Sequence, residues 1–184
     1  MINCIKVLRR GESLLYPTDT IWGLGCDATN EAAVSNIYRI KGRSEDKSFI
    51  ILVSSMEMLR EYVEEIPPLA YDLIQAMDKT PLTVIYPKGK GLPPNVVAND
   101  GSIAIRLVEN LFCADLVARF GKPIVSTSAN LSGQPSPLSI SDISDELIES
   151  VDHIALVEDS SNRKLRPSRI IKLETNGMFS IIRD

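Results

Sequence analysis

Lys41-Gly42-Arg43, with Lys47 four residues on, places three cations around a glycine. They fall between an apolar helical stripe that ends at Ile40 and the apolar run 49–53. Such a cluster suits an anion with several oxygens, although basic residues at a helix C-terminus also complement the macrodipole and can be a solvated cap. Three further polar groups stand at the ends of expected elements: Thr18-Asp19-Thr20, Arg106, and the hydroxyl-rich stretch from Ser126 to Ser136. Singly, each has an ordinary reading, because hydroxyls at strand ends make side-chain turns and arginines there usually face water. Together they gain meaning, since loops at the strand ends of an α/β sheet converge on one crevice. Hydroxyls, backbone N–H groups and cations in one crevice would suit a phosphate plus a small zwitterion or carboxylate. Arg106 is the residue suited to a bidentate carboxylate contact.

Other chemistries have less to stand on. His153, the only histidine, opens an apolar run and reads as structural, and no suggestive Ser or Cys lies near it in sequence. Asp19 and Asp27 could orient a metal or an amine, but loop carboxylates are usually solvated. Gly23-Leu24-Gly25-Cys26-Asp27-Ala28 has the letters of a dinucleotide fingerprint, yet Pro17 and a polar stretch separate it from the preceding strand. No phosphate-binding G-x-x-x-x-G-K-[ST] occurs. Cys4, Cys26 and Cys113 are odd in number and far apart, as expected of reduced, buried thiols in a cytoplasmic protein. A net charge of −4 argues against a protein that coats nucleic acid, while still permitting a local basic pocket. No apolar stretch is long enough to cross a membrane, and no signal-peptide layout opens the chain.

The elements that must position these residues follow from periodicity. At 184 residues, 44% hydrophobic and 24% charged, a single domain over 1–184 with a substantial core is expected. Helices are expected over 2–10, from Asn30 to Ile40, from Ser54 or Ser55 through Val63, over 67–77, from an Asn110 cap to Phe120, and around 143–148. Strands are expected over 13–16, 49–53, 81–86, 102–107, 123–125, 153–157, 169–173 and 178–182, with an Asn176-Gly177 turn before the last. The stretch 18–27 reads as a site loop, too polar and glycine-spaced for a core strand, and 126–133 as turn chemistry. Alternating strands and helices with a strand-rich end predict an α/β fold on a twisted mixed β-sheet with flanking helices.

Taken as a set, Pro17-Thr18-Asp19-Thr20-Ile21-Trp22-Gly23-Leu24, Lys41-Gly42-Arg43 with Lys47, Ser102 through Arg106, and Ser126-Thr127-Ser128-Ala129-Asn130 with Ser132-Gly133 resemble the motifs of the YrdC-like threonylcarbamoyl-AMP synthases. They occur in the family's order along nearly the whole chain. The resemblance implies a deep basic cavity and a synthase that joins L-threonine, bicarbonate and ATP, with Mg2+, into threonylcarbamoyl-AMP and pyrophosphate. That product serves threonylcarbamoyl adenosine formation in tRNA. By the same resemblance, Lys41, Arg43 and Lys47 face the ATP phosphates, with Lys41 and Arg43 catalytic. Ser102, Ser128, Asn130, Ser136 and Arg183 assist in holding ATP, and Thr20, Arg106, Ser126 and Ser168 bind threonine.

Some positions depart from the pattern. The common Gly-Pro-Leu-Thr is Thr80-Pro81-Leu82-Thr83, Arg-x-Pro is Arg106-Leu107-Val108, and Pro-Ser-Thr is Pro167-Ser168-Arg169, which sets a cation beside a proposed ligand. With its end at Asp184, the chain resembles the short form, which hands its product to separate tRNA-modifying proteins. Rival readings are a double-stranded RNA or tRNA-binding module, for which the acidic total allows weak contact at most, and a non-catalytic partner in tRNA modification. A third is the related carbamoyl-transfer domain of hydrogenase maturation, whose zinc-finger cysteines this chain lacks.

Overall fold

The computed structural model describes residues 1–44, 48–76, 80–109, 111–157 and 167–184. Lys47, the Asn110 cap and the expected helix end at Met77 lie outside the described residues. In chain order the elements are α1 (Ile2–Arg9), β1 (Leu14–Tyr16), β2 (Gly23–Gly25), α2 (Glu31–Lys41), β3 (Ile50–Val53), α3 (Met56–Tyr62), α4 (Pro68–Ala76) and β4 (Leu82–Tyr86). There follow β5 (Ile103–Leu107), α5 (Leu111–Phe120), β6 (Ile124–Ser128), a 3-10 turn at Ile140–Asp142, α6 (Asp145–Ser150), β7 (His153–Ile154), β8 (Arg169–Leu173) and β9 (Phe179–Arg183). The strands form one mixed sheet in the order β7-β1-β2-β6-β3-β5-β4-β8-β9. Pairs β1/β7, β3/β5 and β4/β8 are parallel and the rest antiparallel. The expected mixed sheet is what forms.

Apolar residues on successive positions face opposite ways, so both sides of the sheet are covered. One side carries Leu15, Leu24, Ile51, Val53, Val84, Ile105 and Val125 beneath the apolar stripes of α2, α3 and α6. The other carries Leu14, Tyr16, Leu52 and Ile124 beneath α1 and α5. These two helices cover the β7-β1-β2-β6 end of their side and reach β3 at Leu52. Over β5, β4 and β8, and beside them on β3, the same side is left to the cavity described below.

Local chemistry sets the ends of the elements. Asn30 caps α2 through its side chain, which accepts from the Ala33 N–H at 3.1 Å, and Ser55 caps α3 through Met58 N–H at 3.2 Å. Gly42 ends α2 in the left-handed conformation, φ 56°, which sends the chain sharply from Lys41 to Arg43.

Two expectations are corrected. The glycine-spaced stretch is in part a buried strand, β2, between β1 and β6. A Cβ at Gly25 would stand 2.1 Å from the Val125 carbonyl, and one at Gly23 would stand 3.2 Å from Thr18 and the Tyr16 ring. The glycines permit close strand packing and do not make a dinucleotide turn. Likewise β6 does not stop at Val125 but runs through Ser126, Thr127 and Ser128, paired with β2 and β3. Its hydroxyls remain in a strand because Ser126 and Ser128 face a cavity instead of an apolar layer. Smaller shifts occur at β7, which stops at Ile154, and at β9, which starts at Phe179.

Candidate active site

A cavity of about 330 Å³ opens on the side of the sheet that α1 and α5 leave uncovered. Its floor is Ile50 and Leu52 of β3, Ala104 and Arg106 of β5, and Ser126 and Ser128 of β6, alternate residues on three adjacent strands. Its rim comes from the 18–21 loop, the Arg43 turn, Ser136, and the Ser168 and Arg183 region. Among the described residues the lining includes three arginines, Arg43, Arg106 and Arg183, and no carboxylate. Eight of the residues expected to bind substrates meet here: Thr20, Arg43, Arg106, Ser126, Ser128, Ser136, Ser168 and Arg183.

At one end, the 18–21 loop grips Arg106. Thr18 Oγ1 donates to the Ile21 carbonyl at 2.7 Å and accepts from the Thr20 N–H at 2.9 Å, a tight hydroxyl turn. That turn aims Thr20 Oγ1 at Arg106, whose Nη1 donates to it at 3.2 Å. Arg106 Nη2 is ion-paired with Asp19 Oδ1. Arg106 is 6% exposed, and its two terminal guanidinium nitrogens are both fixed by one loop. Close by, Arg183 donates to the Ser168 carbonyl from Nε at 2.9 Å and Nη2 at 2.7 Å. Burial lowers the pKa of Arg183 below its ordinary value, and the charge of Arg106 adds to that. The Ser168 hydroxyl shares a 2.8 Å hydrogen bond with buried Thr83. Arg169, the departure from the family pattern, forms an ion pair with Asp184.

At the other end, Arg43 donates from Nη2 to the Ser48 carbonyl at 3.0 Å and lies 5.0 Å above the Phe49 ring, which packs on Tyr38. Lys41 behaves differently from the expectation. It is 3% exposed and does not line the cavity; Nζ donates to the carbonyls of Ser128 and Asn130, each at 2.7 Å. Its own carbonyl accepts from the Ser132 N–H at 2.9 Å. Lys41 therefore fastens the chain leaving β6 from both ends of the residue. Burial pulls its pKa down to about 8, and the Arg43 charge contributes.

Two other expected ligands are also set back from the lining. Asn130 uses its amide nitrogen on the carbonyls of Leu131 and Gln134, at 3.1 and 2.5 Å, and so shapes its own turn. Ser102 is buried just before β5, where its N–H donates to Asp100 Oδ1 at 2.9 Å. His153 sits on β7 at the sheet edge, away from the cavity, and Asp27 is bound to Thr29 and Lys122.

Phe49 and Thr83 are the supporting residues that sequence reasoning passed over. An aromatic residue directly after a basic loop was a usable signal for Phe49; Thr83 keeps the Thr of the family's Gly-Pro-Leu-Thr pattern, but its partner, Ser168, lies 85 positions away. Among the described residues, no group of three or more His, Cys, Asp or Glu is placed to hold a metal ion. The hydroxyls on the lining could contact a hydrated magnesium ion whose main ligands are phosphates.

Comparisons with known proteins agree with the fold. A model of the Sua5/YciO/YrdC family, described as telomere recombination, matches residues 6–184. A threonylcarbamoyl-AMP synthase of Xanthomonas oryzae pv. oryzae is 33% identical over 178 residues, which is 92% of this chain and 95% of the relative. The crystal structure of P. abyssi Sua5 complexed with L-threonine superposes with a TM-score of 0.89 at 30% identity, covering 98% of this chain and 52% of that one. This chain thus spans about half of the P. abyssi protein. E. coli YciO, at 24% identity and TM-score 0.84 over 99% of this chain and 87% of its own, shares the fold.

Proposed function

The chain belongs to the Sua5/YciO/YrdC family, and on that premise we infer that it is an L-threonylcarbamoyl-AMP synthase. The observation that carries this reading is the joining, in one cavity, of an arginine end held by a hydroxyl turn and a cationic end held on an aromatic ring. The first suits the carboxylate of an amino acid, and the second suits phosphates. The relative solved with L-threonine supports the same assignment.

In this reading the enzyme is a nucleotidyltransferase. Threonine binds with its carboxylate toward Arg106 and its polar groups toward Thr20, Ser126 and Ser168. Arg43, Ser128, Ser136 and Arg183 face ATP, while Lys41 and Asn130 shape the turn on which its phosphates rest. The amine of threonine adds to carbon dioxide derived from bicarbonate and becomes a carbamate. A carbamate oxygen then attacks the α-phosphorus in line, and the bond to the bridging oxygen breaks to release pyrophosphate. Such a displacement asks for alignment and charge neutralisation, which the arginines supply. Magnesium enters with ATP and supplies further neutralisation of the phosphate oxygens.

The product is a mixed anhydride that a separate tRNA-modifying protein would consume, and the net charge of −4 suits at most weak contact with tRNA itself. Buried Cys4, Cys26 and Cys113, none of them in a disulfide, suit the reducing cytoplasm. No helix among the described residues is long and apolar enough to cross a membrane.

The test is pyrophosphate release from MgATP with and without L-threonine and bicarbonate. Release is expected only with both, and Arg43→Ala is expected to abolish it while leaving the melting temperature in place. Release that ignores threonine and bicarbonate would remove the synthase reading.

A further inference from the structure

Arg106 and Asp19 form an ion pair whose carboxylate lies outside the cavity lining, while Thr18 and Thr20 on either side of it line the cavity. Burial pushes up the thiol of Cys113 on α5 and the charge of Asp19 adds to that, while the Cys113 Sγ donates to the Pro17 carbonyl at 3.5 Å and ties α5 to the start of this loop. The carboxylate therefore meets the guanidinium from outside the cavity lining. Its side chain is 19% exposed against 7% for Arg106, so water screens the pair poorly.

The charge count differs between the two ends of the cavity. At the threonine end, among the described residues, Asp19 offsets Arg106 and leaves Arg183 as the nearby cation. At the phosphate end, the Lys41 ammonium is held by carbonyl oxygens, with no ion pair among the described residues. A zwitterionic amino acid carries no net charge, whereas a phosphate group at neutral pH carries between one and two negative charges. Two uncompensated guanidiniums side by side would make the threonine end a second phosphate site.

We propose that Asp19 is a specificity-determining residue that, by neutralising Arg106 from behind, makes the threonine end accept a zwitterion and reject phosphate groups. It does so without touching the substrate. Discrimination of this kind is built against the wrong ligand as much as for the right one. ATP and its pyrophosphate product are both present in the working enzyme, so an end that accepted phosphate would be inhibited by the enzyme's own substrate and product.

This proposal rests on the synthase reading, so threonine-dependent pyrophosphate release by the unaltered chain is measured first, and its absence counts against that reading. Asp19 itself is then tested by binding alone, with calorimetric titrations of L-threonine and of inorganic phosphate into the unaltered chain, Asp19→Asn and Asp19→Glu. Asparagine keeps an oxygen toward Arg106 and loses the charge; glutamate keeps the charge.

In Asp19→Asn, phosphate is expected to bind about tenfold tighter or more and to compete with threonine, whose KM rises, while the KM for ATP stays within about twofold. Asp19→Glu should restore weak phosphate binding. Three results would overturn the proposal: phosphate affinity unchanged in Asp19→Asn, no rescue by Asp19→Glu, or an Asp19→Asn chain that does not fold. The last would assign Asp19 to the fold alone.

Discussion

Arg106 and Lys41 are buried almost equally, at 6% and 3% exposure, and are held in opposite ways. Arg106 has a carboxylate and a hydroxyl; Lys41 has two backbone carbonyls and no ion pair among the described residues. A carboxylate cancels a buried charge. Carbonyl dipoles solvate it without cancelling it, so the field of Lys41 persists, and burial weakens its hold on the proton. The two ends of one cavity thereby differ in net charge although both are lined by arginine and hydroxyl groups. In the proposed reading, the end where Asp19 offsets Arg106 takes the zwitterion and the end beside Lys41 takes the phosphates.

The largest expected effect comes from removing the paired cation. Arg106→Ala should cut kcat/KM for threonine by about a thousandfold or more, because the substrate carboxylate and Asp19 both lose their partner. It should also lower stability by about 2 kcal/mol, read from urea unfolding, since Asp19 is left half-buried and unpaired. Unchanged threonine kinetics would remove Arg106 from the site.

Lys41→Met is expected to lower kcat/KM for ATP by about a hundredfold, with threonine affinity changed much less. Two carbonyls lose their donor, at about 1–3 kcal/mol for each group left unsatisfied, which is set against relief from burying an ammonium. Equal losses toward both substrates would mean that the two ends are not independent.

pH separates the roles further. Because the folded-state pKa of Lys41 is about 8, below the ordinary 10.5, the unfolded chain binds the extra proton between these values. Stability contributed by this group is therefore absent below pH 8, grows through that window and is complete above it. Activity should run the other way, falling above pH 8 as the ammonium that holds Ser128 and Asn130 is lost. Comparing pH–rate and pH–stability profiles with those of Lys41→Met isolates the contribution; a rate that rises with the stability would contradict the role given to Lys41.

Thr83→Val gives the smallest effect, about 1 kcal/mol in stability and a few-fold rise in KM for threonine, through loss of the hydrogen bond to Ser168. An effect as large as that of Arg106→Ala would move Thr83 into direct contact with substrate.

Much of this fold was legible from periodicity. The stripe Ala33, Val34, Ile37, Tyr38 and Ile40 marks α2, and Asn30 caps it as its type suggests. Apolar run 49–53 marks β3, whose buried residues face both layers. What escaped was β2 and the second half of β6, where composition misleads. Gly25 has no side chain because Val125 O occupies the space, and the hydroxyls of Ser126 and Ser128 face an open cavity. Both facts belong to neighbours in space.

The site divides in the same way. Residue types alone determined that this chain has basic and hydroxyl groups at element ends suited to a carboxylate and to phosphates, because those preferences lie in the side chains themselves. Which cations point inward was decided only by the assembled sheet. Arg43 and Arg106 reach the cavity, while Lys41, two residues from Arg43, turns to the carbonyls of Ser128 and Asn130. The left-handed Gly42 and the nearness of β6 set that direction, and a side chain's direction depends on backbone turns and contacts made 87 and 89 positions away.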